Sequence, residues 1–217
     1  RIGFRQAKIK NNRLLGAESL SAKVDDSRYF ARAGFDTLDA LGFPTQGIRV
    51  LGEYSIYDAT LGATRQYDGV TLDILYPLYH NTGTTVLGQG YLGYLFETAV
   101  ADVTPRYSLG GFTRLSGYSP NEISGRHAGL LSLMGYQRLN EHTIVPIDQP
   151  LFIGFSLEAG NVFQDRDDLR WDKTLSGGSL FIGADTAVGP GYLSFGRTEG
   201  GRQSVTLSVG RPFAERD

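Results

Sequence analysis

Hydrophobic and polar residues alternate along most of the chain with a period of two. In "GVTLDILYPLY", Val70, Leu72 and Ile74 share one face of the predicted strand, and Thr71 and Asp73 share the other. Because successive side chains of a strand point to opposite faces, this pattern predicts β-strands rather than helices. Ten strands are predicted, near residues 1–10, 27–38, 47–58, 66–79, 84–100, 125–139, 150–163, 176–188, 191–199 and 202–213.

Two architectures produce this alternation, and they differ in which face meets water. A soluble sandwich or small barrel buries its apolar face, whereas a transmembrane barrel turns that face to lipid and its polar face to the lumen. The predicted strands exceed the ~5–6 residues typical of soluble strands and reach the ~9–11 that a tilted membrane strand needs. Aromatic residues fall near strand ends, as in interfacial girdles: Tyr29, Tyr57, Tyr76, Tyr79, Phe163 and Phe213.

The links between predicted strands also alternate in character. Links 39–46, 80–83 and 189–190 are short and rich in Gly and Pro, and the long polar links are 10–26, 101–124 and 164–175. Short turns at one end and long loops at the other are typical of outer-membrane barrels; link 140–149 and the tight "EGGR" turn depart from this order. We therefore predict one all-β domain over 1–217, an antiparallel up-and-down transmembrane β-barrel of about ten strands. The residues predicted to face lipid are Val70, Leu72, Ile74, Val86, Leu92, Phe96, Ile153, Phe155, Leu180, Val205 and Leu207.

Composition narrows the function classes. The 217 residues include no cysteine, so neither a disulfide framework nor a cysteine metal site can form. The net charge of -2 argues against a nucleic-acid-binding surface. No run reaches the ~18 apolar residues of a transmembrane helix. The chain begins "RIGFRQAKIK", without the apolar segment of a signal peptide, as a mature secreted protein or a fragment of a longer chain would.

Five segments in chain order resemble motifs of the bacterial surface antigen barrels. They are "RYFARAGFDTLDALGFPTQGIRVLGEYS", "LGGFTRLSGYSP", "FSLEAGNVF", "GPGYLSFGRTEGG" and "VTLSVGRPF". The family belongs to the outer-membrane assembly and secretion superfamily, which includes BamA-type insertases and two-partner secretion transporters. The loop and turn resemble most the C-terminal barrel of patatin-like phospholipase fusions of type Vd secretion. The ten strands would match the last ten of the family's sixteen, so the chain is expected to be a fragment or a shortened barrel.

The resemblance implies that residues 109–120 fold back into the lumen. The loop motif consists of Gly110, Gly111, Arg114, Ser116, Gly117 and Tyr118. In the family, an arginine directly before Gly-Tyr pairs with an aspartate on the inner wall of the barrel. In this chain Ser116 stands at the position of the arginine, and Glu158 stands at the position of the aspartate. Either Arg114 reaches Glu158 from two residues back, or a neutral Ser116 contact takes over. We expect the first, with Tyr118 packed on the wall; an Arg114 exposed at the loop tip is the plain alternative.

The resemblance also implies the location and partners. We expect the bacterial outer membrane, with Val205, Leu207, Val209 and Phe213 as the C-terminal insertion signal. The expected partners are outer-membrane lipid, the assembly machinery during insertion, and an upstream passenger or periplasmic domain; no nucleic acid and no cofactor is expected. The expected function is a translocator or anchor, and an insertase or two-partner transporter barrel is the alternative. The chain has no G-x-S-x-G elbow, so a patatin-like hydrolase would lie outside it.

Four further signals are weighed against simpler explanations. The glycines of "GQGYLG" (88–93) lie inside a predicted strand without a following helix, so a nucleotide site lacks its context. "DRDDLRWD" has the residue types of a calcium loop but is better explained as a solvated outer loop. An enzymatic barrel would use His127 with Asp102 or Glu122, although no third orienting group can be named. His80, His127 and His142 are far apart in the sequence and lack the spacing of metal ligands. A soluble ligand-binding barrel is a further alternative.

Overall fold

The computed structural model describes residues 2–15, 18–57, 67–96, 107–139, 149–168, 170–186 and 188–210. The described part consists of β-strands and connecting segments, with two short 3₁₀ turns at Arg166–Asp168 and Trp171–Lys173. The strands are β1 (Ile2–Leu15), β2 (Glu18–Asp36), β3 (Arg49–Tyr57), β4 (Tyr67–Asn81), β5 (Thr84–Leu95), β6 (Tyr107–Leu109), β7 (Ile123–Gly125), β8 (His127–Arg138), β9 (Leu151–Phe163), β10 (Leu175–Thr186), β11 (Gly189–Thr198) and β12 (Arg202–Val209). No helix among these residues is long and apolar enough to cross a membrane.

Ten of the strands form one antiparallel sheet in which chain neighbours are sheet neighbours. The order is β1-β2-β3-β4-β5-β8-β9-β10-β11-β12, and β6 and β7 form a separate two-stranded hairpin between β5 and β8. The prediction of an all-β antiparallel chain with an up-and-down order is confirmed to this extent. Within the described residues, β1 and β12 are the edges of the sheet, each with one neighbour.

The predicted long polar loop over residues 10–26 is wrong. Strand β1 continues to Leu15 and β2 already begins at Glu18, with these two residues paired across the hairpin. The prediction took the polar composition of residues 10–26 as the mark of a loop, yet Leu20, Ala22 and Val24 recur with period two. A two-stranded ribbon can carry polar residues on both faces when its backbone is paired, so polarity alone does not mark a loop.

The two faces of the sheet differ sharply in exposure and in polarity. Leu72 is 36% exposed, whereas its neighbour Asp73 on the opposite face is 2% exposed. The residues predicted to face outward share the exposed face, and none of them is buried. The buried face, which we call the inner face, carries polar groups on β3, β4, β5, β8, β9, β10 and β11: Glu53, Ser55, Asp73, Gln89, Ser132, Ser156, Glu158, Ser179, Ser194 and Thr198.

The predicted aromatic girdle is found only in part. Tyr29, Tyr76 and Tyr79 are half exposed, in agreement with an outer position. Phe163 is buried instead; its backbone lies against Gly125, and its register partner is His127. The side chain of Tyr57 and all of Phe213 lie outside the described residues.

The inner face is concave. Strands β8 and β11 are separated by two strands, which would place them about 14 Å apart in a flat sheet. The ring of Phe43 nevertheless touches both, with centroids 5.4 Å from Tyr136 on β8 and 5.0 Å from Tyr192 on β11. Side chains converge in this way on the inside of a curved sheet, so the sheet wraps around what lies on this face.

The connection between β2 and β3 is a tightly bonded turn. Thr37 N donates to Ile48 O, and Asp39 Oδ1 accepts the backbone N–H groups of Thr45 at 2.8 Å and Gln46 at 3.2 Å. Gly47 has φ of 92°, and a Cβ at this position would overlap the carbonyl of Thr37. The stretches "DTLD" (36–39) and "PTQG" (44–47) therefore form the two sides of one turn.

We expect the contribution of Asp39 to stability to depend on pH. Partial burial raises the pKa of Asp39, but the hydrogen bonds from Thr45 and Gln46 outweigh it and hold the pKa below its usual value. A lowered pKa means that the stabilisation is complete above about pH 4 and is lost as the pH falls through the folded-state pKa. Asp39→Ala should therefore lower the urea midpoint in detergent at pH 7, and the difference from wild type should shrink in acid. Asp167→Ala, at an exposed position, is the matched control; an equal loss there would contradict the assignment.

Candidate functional site

The segment between β6 and β7 folds back onto the inner face. From Leu109 to Tyr118 every residue is buried except Arg114 and Tyr118, which are half-buried, and exposure begins at Ser119. We call residues 109–118 the inner loop. Its turns are closed by backbone hydrogen bonds, from Gly110 N to Arg114 O at 2.7 Å and from Gly111 N to Tyr118 O at 3.0 Å. The loop therefore folds inward over residues 109–118, as expected. Ser119 and Pro120, which were expected inside as well, are exposed.

The loop needs left-handed backbone at four positions. Gly110 and Gly111 have φ of 121° and 96°, which glycine adopts without steric cost. Thr113 and Leu115 have φ of 62° and 70°, a region that costs non-glycine residues free energy. Such a conformation persists only when the surrounding contacts fix it, which indicates that the loop is held firmly by the wall.

Glu158 on β9 is the main polar contact of the loop. Its Oε2 accepts the backbone N–H of Ser116 at 2.5 Å, and its Oε1 accepts the Ser116 hydroxyl. Ser156 Oγ also donates to Oε1 at 2.5 Å and lies 2.7 Å from Ser179 Oγ. Glu158 is 3% exposed, so these neutral donors stabilise a carboxylate that water does not reach. Of the two alternatives from the sequence, the neutral Ser116 contact is the one found.

Arg114 is not the partner of Glu158, and this expectation is wrong. Its guanidinium lies over the ring of Tyr91, 4.3 Å from the centroid, and Nη2 donates to Ser108 O at 3.2 Å. The chain direction explains the difference, because the left-handed residues at 113 and 115 turn Arg114 toward β5 while Ser116 turns toward β9. Arg114 is not an exposed tip either, since it is half-buried.

Two glycines allow the loop backbone to touch β11. Gly117 lies against Thr198, whose Oγ1 accepts the Gly117 N–H at 2.9 Å. On the wall, a Cβ at Gly196 would overlap the carbonyl group of Ser116. Both sites exclude a side chain, because a real Cβ essentially never lies under 3.0 Å from another heavy atom. The glycine in the "Gly-Tyr" motif is thus explained by close approach to β11.

Tyr118 packs against an apolar cluster on the inner face, as expected. The cluster consists of Tyr91, Leu109, Leu115, Ala128 and Leu130. The guanidinium of Arg202 lies over the Tyr118 ring at 5.6 Å and pairs with Glu122 at 3.2 Å. These contacts join the exit of the loop to the start of β12.

A second segment on the inner face was missed by the sequence analysis. Phe43, in the β2–β3 connection, stacks on Phe152 with ring centroids 3.7 Å apart. The carbonyls of Gly42 and Pro44 accept the hydroxyls of Tyr192 and Tyr136. The available signal was an aromatic residue between Gly42 and Pro44 in what was taken for a surface turn. We call residues 42–44 the turn plug.

Ion pairs cross the inner face on the side of β2 to β4. Arg32 Nη2 lies 2.6 Å from Glu53 Oε2, and Arg49 Nη2 lies 3.6 Å from Asp73 Oδ1. Gln89 Nε2 donates to the other Asp73 oxygen at 3.3 Å. Charges of opposite sign are therefore paired across neighbouring strands, and the pair of Arg49 and Asp73 is buried.

The predicted insertion signal lies partly within the described residues. Val205, Leu207 and Val209 are exposed on one face of β12, and Phe213 lies outside the described part of the chain. β12 pairs with β11 from Gly191↔Val209 to Thr198↔Arg202.

The set named for an enzymatic barrel has other contacts. His127 is 2% exposed, and its Nδ1 accepts the Leu95 N–H at 3.3 Å. Glu122 Oε2 accepts the Ser119 N–H at 2.8 Å, and Glu122 forms an ion pair with Arg202. Asp102 lies outside the described residues. These contacts account for both residues without a substrate.

Neither metal nor nucleotide chemistry gains support in the described ranges. They contain no group of three His, Cys, Asp or Glu residues arranged for a metal ion. In the loop after β9, Asp168 pairs with Lys173, and Asp172 pairs with Arg170. Gly93 of "GQGYLG" lies under the ring of Tyr107, so this glycine is explained by packing.

Comparison with known proteins adds no relative. No model of a protein family matches the chain, and no curated protein aligns with it significantly. The resemblance to the surface antigen barrels therefore stays an expectation carried by the quoted motifs.

Proposed function

We propose that this chain is a membrane-spanning β-barrel domain of the bacterial outer membrane. The observation that carries the proposal is the inverted polarity of the sheet. Large apolar side chains are exposed on each sheet strand from β3 to β12, while the covered face holds carboxylates, arginines, amides and hydroxyls beside its buried aromatic and leucine side chains. In a membrane barrel the outer residues meet lipid and the inner residues line the lumen.

The same surface would be costly in water. Leaving a Leu or Phe exposed forgoes about 1.5–3 kcal/mol relative to burying it. Soluble monomers rarely expose continuous apolar patches beyond a few hundred Å². Here the apolar face continues from Leu72 on β4 through Phe155 on β9 to Leu207 on β12. A lipid solvent removes this cost, and a soluble ligand-binding barrel does not.

Lipid also constrains the sheet edges. Backbone N–H and C=O groups within the hydrocarbon region must be bonded, so an open edge cannot face lipid. Among the described residues, β1 and β12 each pair on one side only, so their other sides require partners in the membrane, either each other or further strands. The curvature of the sheet around the inner loop and the turn plug supports closure.

The role we propose is that of an anchor or translocator that holds or passes a passenger, with a patatin-like lipid hydrolase as the expected passenger. This step rests on the motif resemblance, since a barrel by itself does not specify its cargo. An insertase or two-partner transporter barrel is the second candidate, because the same motifs occur across the superfamily. The parent reading frame separates them: a folded hydrolase domain upstream supports the first, and small periplasmic repeat domains support the second.

Spin labels test the membrane assignment directly. The chain has no cysteine, so Leu72→Cys, Leu180→Cys and Leu207→Cys each give one labelled site on the outer face. In liposomes we expect high collision rates with oxygen, which dissolves in lipid, and low rates with a water-soluble nickel chelate.

Two further sites are the controls. A label at Glu199→Cys, in the exposed β11–β12 turn, should collide freely with the nickel chelate. A label at Asp73→Cys, on the inner face beside Leu72, should lose the high oxygen accessibility of its neighbour. Equal nickel accessibility at positions 72, 180, 207 and 199 would refute the membrane assignment.

A further inference from the structure

The inner face is occupied by segments that enter from both ends of the sheet. Since neighbouring strands alternate in direction, the β2–β3 connection lies at one end and the β5–β8 connection lies at the other. The turn plug enters from the first end and the inner loop enters from the second. Their most buried rings, Phe43 and Phe112, both touch Tyr192, at centroid distances of 5.0 Å and 5.2 Å.

The meeting point is a buried, mainly aromatic cluster. Phe43, Tyr136, Phe152, Phe181 and Tyr192 belong to one buried group, to which β4 and β5 add leucines and the inner loop adds Phe112. Aromatic rings bury large areas and pack at edge-to-face distances such as these. The carbonyls of the turn plug are bonded to tyrosine hydroxyls, so the plug is fixed by polar contacts as well.

The inner loop is fixed by a different set of contacts. It is held by Glu158 and Thr198, on β9 and β11, and by the close fit at Gly196. These hydrogen bonds do not involve the turn plug, so they stay in place when the turn plug is removed; the ring of Tyr192 is the contact that the two segments share.

We infer that the interior is closed twice, once by each of these two segments, so that the domain at rest holds its passenger and does not thread it through an open lumen. This inference rests on the proposed barrel. It decides whether the barrel holds its passenger as an anchor or passes it as a translocator. The turn plug closes the end where β2 stops, and the inner loop fills the length from the opposite rim to Tyr192. Either segment alone is sufficient to block a continuous water path.

Conductance in planar lipid bilayers tests this. One variant is Phe43→Ala. The other replaces residues 110–122 by Asn-Gly, because Leu109 and Ile123 are already paired across the β6–β7 hairpin and a two-residue turn can join them. We expect wild type and each single variant to give no stable current steps, and the double variant to give them. A steady channel in wild type or in a single variant would overturn the inference, as would a folded double variant that stays closed.

Cysteine accessibility gives an answer even if the double variant does not fold. Ser179→Cys places a small thiol on the inner face of otherwise wild-type protein, and Thr82→Cys places one in an exposed turn. We expect a charged thiol reagent to modify position 179 at least ~100-fold more slowly than position 82. Similar rates would mean that water reaches the interior and would overturn the closure.

The spin labels at positions 72, 180 and 207 separate the two ideas. If those labels do not report lipid, the proposed membrane barrel fails. If they report lipid and wild type conducts, the barrel stands and only the double closure fails.

Discussion

Glu158→Ala should destabilise the protein and release the inner loop, and it should do so through Ser116 and not through Arg114. The carboxylate accepts hydrogen bonds from Ser116 N, Ser116 Oγ and Ser156 Oγ in a buried site. A buried donor left without an acceptor costs about 1–3 kcal/mol, and the Ser116 amide cannot turn away to find another. We therefore expect a loss of several kcal/mol in the free energy of unfolding, measured with urea in detergent or liposomes.

A double-mutant cycle identifies the partner. Ser116→Ala with Glu158→Ala should show a coupling energy of about 1.5–3 kcal/mol, as is usual for a hydrogen bond to a charged group. Arg114→Ala with Glu158→Ala should show a clearly smaller coupling energy, because the Arg114 guanidinium lies over Tyr91 and donates to Ser108 O. Strong coupling of Glu158 to Arg114, with none to Ser116, would contradict the contacts described here.

Much of the fold could be predicted from the sequence because the alternation is physical. The side-chain period of two assigns each residue to a face, and Leu72 and Asp73 lie on the faces that the pattern requires. Exposure by itself does not say which solvent each face meets, so that step depends on the polarity argument. The error at residues 10–26 came from equating polar residues with a loop, whereas the hydrogen bonds of a hairpin do not depend on side-chain polarity.

The site was less predictable because it depends on backbone direction. The glycines of "LGGFTRLSGYSP" indicate close packing, but sequence spacing cannot tell which way a left-handed residue turns the next side chain. Thr113 and Leu115 adopt that conformation without any glycine signal, and they decide that Ser116 meets Glu158 while Arg114 lies on Tyr91. The turn plug was missed for a related reason: Phe43 is local to a turn, and its partners on β8, β9 and β11 are distant in sequence.

Gly196→Ala should displace the inner loop from the wall by steric overlap alone. The added methyl group would overlap the carbonyl carbon, the carbonyl oxygen and the Cβ of Ser116, and a rotamer change of Ser116 moves none of these three atoms. Overpacking a rigid site typically costs about 1–3 kcal/mol and occasionally more. The shift would also lengthen the Gly117 N–Thr198 Oγ1 and Ser116–Glu158 hydrogen bonds, so we expect a cost at the upper end of this range.

Gly191→Ala is the matched control for this prediction. Gly191 lies on the same strand, and a Cβ there would meet no atom within 4 Å. Alanine also restricts the unfolded chain, so this change should be neutral or stabilising by up to about 1 kcal/mol. Thermal unfolding in detergent measures both variants, and protease cleavage within residues 109–118 reports release of the loop. If Gly196→Ala unfolds at the same temperature as Gly191→Ala and its loop stays protected, the inner loop does not rest on β11, and the close contact that explains Gly196 would not exist in the protein.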